Sequence, residues 1–123
     1  MSKLENPLPD YKYLVIEPYT PNIGATIHDV DLSKIDDEGL HAELRRALVE
    51  FQVLFFRHQT LTPEQLIDVA KVFGDPDKAK AFFPRHATQH VIEVLEARPA
   101  GHRYGTDQWH ADETFRAAPP LGT

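Results

Sequence analysis

The sequence contains no cysteine, and this absence removes several classes of protein. Disulfide scaffolds, iron–sulfur proteins, thiolate zinc sites and enzymes with a cysteine nucleophile are all excluded. If the chain binds a metal ion, the ligands must therefore come from histidine, aspartate and glutamate side chains.

The chain also lacks an excess of positive charge and any long apolar run. Lysine and arginine together number 13 against 19 aspartates and glutamates, which gives a formal net charge of -6. Because no basic cluster offsets this balance, we expect no nucleic-acid partner. No stretch approaches the roughly 20 apolar residues that span a bilayer, and the N-terminus has no apolar signal segment. These absences predict a cytoplasmic protein without a membrane partner.

What is present is the composition of a folded domain. Hydrophobic residues make up 41% and charged residues 26% of the 123 residues, which argues against intrinsic disorder. Residues 1–12 show little periodicity and contain two prolines, so we interpret them as a flexible arm. Residues 13–123 are then interpreted as part of one domain.

Two segments have the apolar periodicity of amphipathic helices. The first covers residues 36–51, and its predicted buried stripe consists of Leu40, Leu44, Ala47, Leu48 and Phe51. The second begins after Thr62, where Pro63 fits the first helical position and Gln65 completes a capping box with Thr62. Gly74 is placed to end this helix. Its predicted buried stripe consists of Leu66, Val69, Ala70 and Phe73.

Four short apolar runs predict β-strands, at residues 13–17, 25–30, 53–56 and 91–95. The run at residues 53–56 reads VLFF, and its continuous apolar character predicts a strand that is buried on both faces. Because strands and helices do not alternate regularly, the sequence predicts an α+β fold class.

His110 and Asp112 form an H-x-D pair that can hold a metal ion. On an extended segment, residues two apart project to the same side, so an imidazole nitrogen and a carboxylate oxygen can converge on one ion. These donors suit divalent first-row metals, and with a distant second histidine they make the facial triad of non-haem iron(II) oxygenases. The pair by itself also fits a surface ion pair or a capping aspartate.

Other motifs accompany this pair in a fixed order. They are GATIHDVDL at residues 24–32, LFFRHQ at 54–59, LTPEQ at 61–65, FGD at 73–75, WHADETF at 109–115 and PPLGT at 119–123. This ordered set resembles the taurine dioxygenase family of iron(II)- and 2-oxoglutarate-dependent dioxygenases, in which a W-H-x-D-x-(T/S)-F stretch precedes a proline pair. The resemblance covers residues 13–123, which is nearly the whole chain.

The resemblance implies a fold and a reaction. The fold would be the N-terminal portion of a double-stranded β-helix, or jelly roll, with flanking helices and an incomplete barrel. The reaction would hydroxylate a small organic substrate, anionic or neutral, while 2-oxoglutarate and dioxygen are consumed and succinate and carbon dioxide are released. His110 and Asp112 would be two of the three Fe(II) ligands, and Trp109 would be a structural or pocket residue beside them.

The same resemblance implies that three further residues contact the substrate. Thr106 stands where taurine-using members have an asparagine, and Gln108 replaces a residue that is commonly asparagine. Phe83 stands at the place of a tyrosine, and the histidine that accompanies this tyrosine has no counterpart in residues 77–84. These departures count against taurine as the substrate, although they do not affect the reaction type.

The family's third iron ligand, a histidine, and the arginine that binds 2-oxoglutarate lie far downstream of the H-x-D pair, at positions beyond Thr123. We therefore expect an N-terminal portion of an enzyme, which alone binds iron weakly and has no turnover. It would form a homo-oligomer or associate with the missing C-terminal part. The apolar side chains that we expect to be left exposed to solvent are those of Phe55, Phe56, Phe82, Phe83 and Phe115. Two alternatives stay open: a non-catalytic truncated remnant that self-associates, and a small metal-binding module whose site is completed across a dimer.

Overall fold

Three strands and two helices make up the regular structure of the described part of the chain. In chain order these are β1 (Val15–Pro18), β2 (Ala25–His28), α1 (Glu38–Phe51), β3 (Leu54–Phe56) and α2 (Pro63–Phe73). The computed structural model describes residues 10–77, 86–92, 109, 113–119 and 121. Contacts divide the chain into two compact units, residues 1–73 and 74–123, and all five elements lie in the first unit. Within the described residues, no helix is long and apolar enough to span a membrane.

The strands form one open sheet in the order β1-β2-β3. β1 pairs with β2 in the antiparallel direction, and β2 pairs with β3 in the parallel direction. The register places Ile16, Ile27 and Phe56 side by side, and these three residues share the sheet face that packs on the core. The equivalent row on the opposite face consists of Glu17, Thr26 and Phe55. The mixed strands and helices agree with the predicted combination of α and β structure.

One hydrophobic core joins the sheet to the helices of the first unit. Its buried residues are Leu14, Ala25, Ile27, Leu32, Ile35, Leu44, Ala47, Phe51 and Val72. No polar or charged side chain is buried among the residues that the structure describes. The core therefore depends on apolar contacts, while the polar side chains act at its margins.

Helix α1 packs through most of the stripe that the sequence predicts, although Leu48 is only half-buried. Leu44, Ala47 and Phe51 are buried, and Leu40 packs against them. The helix begins at Glu38, two residues later than predicted, because the Asp37 side chain caps it by accepting hydrogen bonds from Gly39 N and Leu40 N. It ends at a left-handed Gln52, whose backbone N–H donates to the Leu48 carbonyl.

Helix α2 confirms the predicted capping box but not the whole predicted stripe. Thr62 N donates to Gln65 Oε1 at 2.9 Å, and Gln65 N donates to Thr62 Oγ1 at 3.3 Å. Among the helix's apolar side chains, Val72 is buried and Val69 and Phe73 pack against the core, whereas Leu66 and Ala70 are exposed. The prediction that Leu66 and Ala70 are buried is therefore wrong. An apolar stripe this broad can pack by either edge, and the contact with α1 selects the edge that contains Val72.

The strand predictions need several corrections. β3 does not have two buried faces: its three residues are half-buried, and it lies at the end of the strand order, pairing with β2 within the described residues. β1 starts two residues later than predicted, and β2 stops at His28, since Asp29 adopts a left-handed φ of 58°. Val91 lies in a turn in which Ile92 N donates to Gln89 O at 2.9 Å, so a strand does not begin there. The rest of that predicted strand, residues 93–95, lies outside the described residues.

The segment before β1 is held by side chains of α1. The Glu43 carboxylate accepts hydrogen bonds from the backbone N–H groups of Lys12, Tyr13 and Leu14. Arg46 Nη2 donates to the Asp10 carbonyl at 2.6 Å, and its guanidinium stacks 3.9 Å from the centre of the Tyr11 ring. These contacts join residues 10–12 to α1, while residues 1–9 of the predicted arm lie outside the described part of the chain.

Gly24 closes the turn between β1 and β2 in a conformation that favours glycine. Its φ is 85°, and a Cβ atom at this position would lie 3.5 Å from both the Phe55 ring and the Tyr19 Cβ. Tyr19 N donates to the Gly24 carbonyl at 2.8 Å, and Gly24 N donates to the Phe51 carbonyl at 2.8 Å. The left-handed backbone explains why the GA motif starts with glycine, since an added Cβ would meet the two side chains at ordinary van der Waals distance.

Candidate metal-binding segment

The structure describes only part of the segment around the H-x-D pair. Trp109, residues 113–119 and Leu121 are described, whereas both predicted ligands, His110 and Asp112, lie outside the described residues. Three of the predicted substrate contacts, Phe83, Thr106 and Gln108, also lie outside them. The roles of these residues therefore stay predictions.

Large apolar side chains are exposed on this segment. The side chain of Trp109 is fully exposed, Phe115 is 86% exposed and Leu121 is 74% exposed. The expectation that Phe115 is exposed is confirmed, whereas Phe55 and Phe56 are half-buried, and Phe82 and Phe83 lie outside the described residues. The pocket role of Trp109 stays a prediction. Exposed apolar groups of this size are typical of surfaces that meet another polypeptide or a ligand.

A tight turn follows directly after Asp112 in the sequence. Glu113 has a left-handed φ of 52°, and Arg116 N donates to the Glu113 carbonyl at 2.9 Å. The Arg116 side chain strengthens this turn, because its Nη1 donates to Glu113 Oε2 at 2.7 Å and to Asp77 Oδ2 at 2.7 Å. These hydrogen bonds, first to Glu113 and then to Asp77, raise the pKa of Arg116 above its ordinary value.

Sequence reasoning missed this arrangement of charges. The available signal was the spacing of Glu113 and Arg116, since opposite charges three residues apart can pair in a turn or helix. Nothing in the sequence connects Arg116 with Asp77, which lies 39 residues earlier. The structure brings the two residues together within the second unit.

Gln59, the last residue of the LFFRHQ motif, has a structural role. Its Oε1 accepts a hydrogen bond from Leu32 N at 2.9 Å, and its Nε2 donates to the carbonyls of Val30 and Arg57 at 2.9 and 3.0 Å. One amide side chain therefore joins two family motifs, the segment that follows β2 and the segment that follows β3. The conformation of the VDL segment depends on this amide.

Asp31, in the same segment, forms a small network of hydrogen bonds. Its carboxylate accepts from Ser33 N at 3.0 Å and from Ser33 Oγ at 2.6 Å, and it pairs with Lys34 Nζ at 2.8 Å. The hydrogen bond from Lys34, followed by those from Ser33, lowers the pKa of Asp31 to about 2. The folded chain thus favours the charged form of this carboxyl group.

We predict that Asp31→Asn changes the acid sensitivity of the fold. Because the pKa is lowered on folding, the contribution of Asp31 is complete above its ordinary pKa of about 4 and is lost as the pH falls towards 2. The urea midpoint of the unaltered protein should therefore exceed that of the variant at pH 5, and the difference should shrink as the pH falls through 2. A difference that stays constant across this range would contradict the assignment.

A surface cleft of about 480 Å³ lies in the first unit. Its lining residues are Leu32, Ser33, Ile35, Asp36, Glu38, His41, Arg45, Gln65, Asp68, Lys71 and Val72. Several of its charged groups already have partners: Lys71 pairs with Asp68 at 3.0 Å, and Arg45 Nη1 donates to the Val72 carbonyl at 2.9 Å. Over the described residues, no cluster of three histidine, aspartate or glutamate side chains could hold a metal ion.

The donor types of the H-x-D pair fit the metal that the resemblance implies. A neutral imidazole and a carboxylate are two of the three ligands of the facial triad that binds Fe(II). The H-x-D pair therefore stays a candidate pair of metal ligands in a chain of mixed α and β structure.

Comparison with known proteins identifies the family. The model of the taurine catabolism dioxygenase TauD, TfdA family matches residues 16–123, and the chain belongs to this family. The resemblance that the sequence motifs carry is therefore confirmed.

Individual relatives support the same assignment. The chain is 32% identical over 108 residues to an alpha-ketoglutarate-dependent sulfate ester dioxygenase of Pseudomonas putida, covering 87% of this chain and 35% of the relative. It is 30% identical over 102 residues to the (S)-phenoxypropionate/alpha-ketoglutarate-dioxygenase of Sphingobium herbicidovorans, covering 81% of this chain and 35% of the relative. The chain thus spans about a third of the length of these curated relatives.

A solved structure gives a similar result for the fold. A taurine dioxygenase from Burkholderia xenovorans superposes with a TM-score of 0.58 at 35% identity, over 64% of this chain and 28% of that chain. The described sheet and helices are therefore similar to part of a dioxygenase of this family.

Proposed function

We propose that this chain is the N-terminal portion of an iron(II)- and 2-oxoglutarate-dependent dioxygenase with a jelly-roll core. The observation that carries the proposal is the family match over residues 16–123, since this range includes the H-x-D pair. In this proposal His110 donates an imidazole nitrogen and Asp112 a carboxylate oxygen to the same metal ion. The bound Fe(II), with 2-oxoglutarate, supplies dioxygen activation for the oxidation of the substrate.

The substrate that we propose is a small organic anion. Two relatives carry names that specify a sulfate ester and a phenoxypropionate, which share an apolar body and an anionic group. Phe83, Thr106, Gln108 and Trp109 are the residues that we assign to substrate contact. The oxidised product, succinate and carbon dioxide would be released.

The active site is completed, in this proposal, by groups from outside the 123 residues. The third iron ligand and the arginine for 2-oxoglutarate would come from the C-terminal part of the enzyme, and the chain would associate with that part or with further copies in a homo-oligomer. The exposed side chains of Trp109, Phe115 and Leu121 support such an association. We therefore expect that the chain by itself binds iron weakly and releases no succinate.

The test is an anaerobic Fe(II) titration of the chain and of two ligand variants. His110→Ala and Asp112→Ala should each weaken Fe(II) binding by at least about tenfold, because each removes one of the two ligands. His90→Ala is the matched control, since His90 is an exposed histidine that lies outside the motif. Unchanged affinity in both ligand variants would refute the proposal. Succinate release by the chain alone that depends on 2-oxoglutarate would refute the expected lack of turnover.

A non-catalytic remnant that self-associates is the second candidate function. The exposed apolar groups of the second unit favour it, since they would drive association with or without a metal ion. Iron stoichiometry separates the two candidates. The remnant binds no iron at any protein concentration, whereas the N-terminal portion of the enzyme binds iron weakly. A small metal-binding module with a site that is shared across a dimer would bind half an equivalent or more per chain.

A further inference from the structure

Arg116 connects two acidic side chains that belong to distant segments. Its Nη1 atom lies 2.7 Å from Glu113 Oε2 and 2.7 Å from Asp77 Oδ2. The Glu113 side chain is only 10% exposed, whereas Arg116 and Asp77 are partly open to solvent. Charge-assisted hydrogen bonds of this length are the stronger kind, and an arginine keeps its charge at every accessible pH. The three side chains therefore form one ionic bridge, the Asp77–Arg116–Glu113 bridge.

The bridge acts at a strained position of the backbone. Glu113 has a φ of 52°, a conformation that non-glycine residues adopt uncommonly and that persists when the surrounding contacts hold it. Arg116 makes two of these contacts, since its backbone N–H donates to the Glu113 carbonyl and its guanidinium binds the Glu113 carboxylate. Asp77 in turn fixes the guanidinium from a segment 39 residues earlier.

The residue next to Glu113 in the sequence is Asp112. We propose that Arg116 is a positioning residue for this ligand: it holds the backbone and the side chain of Glu113, the residue that directly follows Asp112 in the sequence. This inference rests on the proposed function, because it takes Asp112 as a metal ligand. Arg116 itself does not bind the metal ion. It lowers the cost of arranging the ligand segment before the ion binds.

The experiment measures Mn(II) affinity of the full 123-residue chain by the loss of the free-ion electron paramagnetic resonance signal. Mn(II) accepts imidazole and carboxylate ligands and is stable in air. We expect Arg116→Ala to weaken Mn(II) binding by about tenfold, at the lower end of the range for residues that support metal ligands. Asp77→Asn should have a similar effect, and the double variant should bind no more weakly than Arg116→Ala alone, because both changes break one bridge.

The chain offers a matched control and a rescue. Lys71 and Asp68 form an exposed ion pair at 3.0 Å, and Lys71→Ala should leave Mn(II) affinity unchanged. Arg116→Lys keeps a cation that can pair with Glu113 and Asp77, and it should retain part of the affinity that Arg116→Ala loses. A merely structural contribution would lower the urea midpoint of Arg116→Ala together with its affinity. We expect the midpoint to stay within the range of the Lys71→Ala control.

The outcomes separate the inference from the proposed function. If the unaltered chain binds Mn(II) and Arg116→Ala binds it equally well, the inference is overturned while the proposed function stands. If Arg116→Ala and Asp77→Asn have independent effects that add, the bridge does not act as one unit and the inference also fails. If the unaltered chain binds no Mn(II), the proposed metal site and the positioning role are both overturned.

Discussion

Leu44→Ala is expected to lower the free energy of unfolding by about 3 kcal/mol, because it removes a fully buried side chain and leaves a cavity in the core. Leu44 has no exposed surface, and it lies in the middle of the buried stripe of α1 with Ala47 and Phe51. Urea unfolding followed by far-ultraviolet circular dichroism measures the effect. A loss of this size is a large part of the stability of a small domain.

Val49→Ala is the matched control for this prediction. Val49 lies on the same helix, but it is 81% exposed, so its truncation should change the free energy of unfolding by less than about 0.5 kcal/mol. If both variants lose the same stability, α1 does not pack by the face that contains Leu44. The predicted order of effects would then be wrong.

Glu43→Ala is expected to lower the free energy of unfolding by about 2 kcal/mol, because one carboxylate holds three consecutive backbone N–H groups. Glu43 Oε1 accepts from Lys12 N at 2.6 Å, and Oε2 accepts from Tyr13 N at 2.8 Å and from Leu14 N at 3.2 Å. Truncation also loosens the start of β1, where Leu14 enters the core. Urea unfolding measures the loss, and hydrogen exchange at these three amides locates it.

Two further variants define what the Glu43 result means. Glu43→Gln keeps an acceptor oxygen but loses the charge, so it should retain part of the stability. Glu17→Ala removes an exposed carboxylate that pairs with His28 at 2.8 Å, and exposed pairs of this kind contribute less than about 1 kcal/mol. If Glu43→Ala and Glu17→Ala lower the free energy of unfolding equally, the three hydrogen bonds to the Glu43 carboxylate do not stabilise the fold as we predict.

Local rules predicted the features of the fold that depend on neighbouring residues. The Thr62–Gln65 capping box joins residues three apart, so its hydrogen bonds could be predicted from the motif and are present in the structure. Most of the buried stripe of α1 could also be predicted from the sequence, because its apolar residues repeat at helical spacing along the whole helix.

Features that depend on distant packing could not be predicted in the same way. The apolar run that forms β3 reads as an interior strand, yet its position in the sheet is set by pairing with β2. Similarly, the burial of Val72 instead of Leu66 depends on which edge of α2 meets α1. A single sequence contains the apolar pattern but not the neighbour that selects one face of it.

In the candidate site, too, features within one short motif could be predicted, whereas contacts between distant residues could not. His110 and Asp112 were found because an H-x-D motif keeps its ligands two residues apart, and the family match includes this segment. The bridge between Arg116 and Asp77 joins side chains 39 residues apart, and no local rule connects them. Sequence motifs thus gave the candidate donors, whereas the residue that we propose to position them required the structure.

The parallel pairing of β2 with β3 also has a consequence for how the chain folds during synthesis. α1 is the connection between these two strands, and no strand pairing in the sheet joins residues more than about 30 positions apart. The entropy cost of closing a connection grows only slowly with its length. The three described strands are therefore all available once Phe56 has left the ribosome, and their pairing does not have to wait for the candidate metal-binding segment that emerges later.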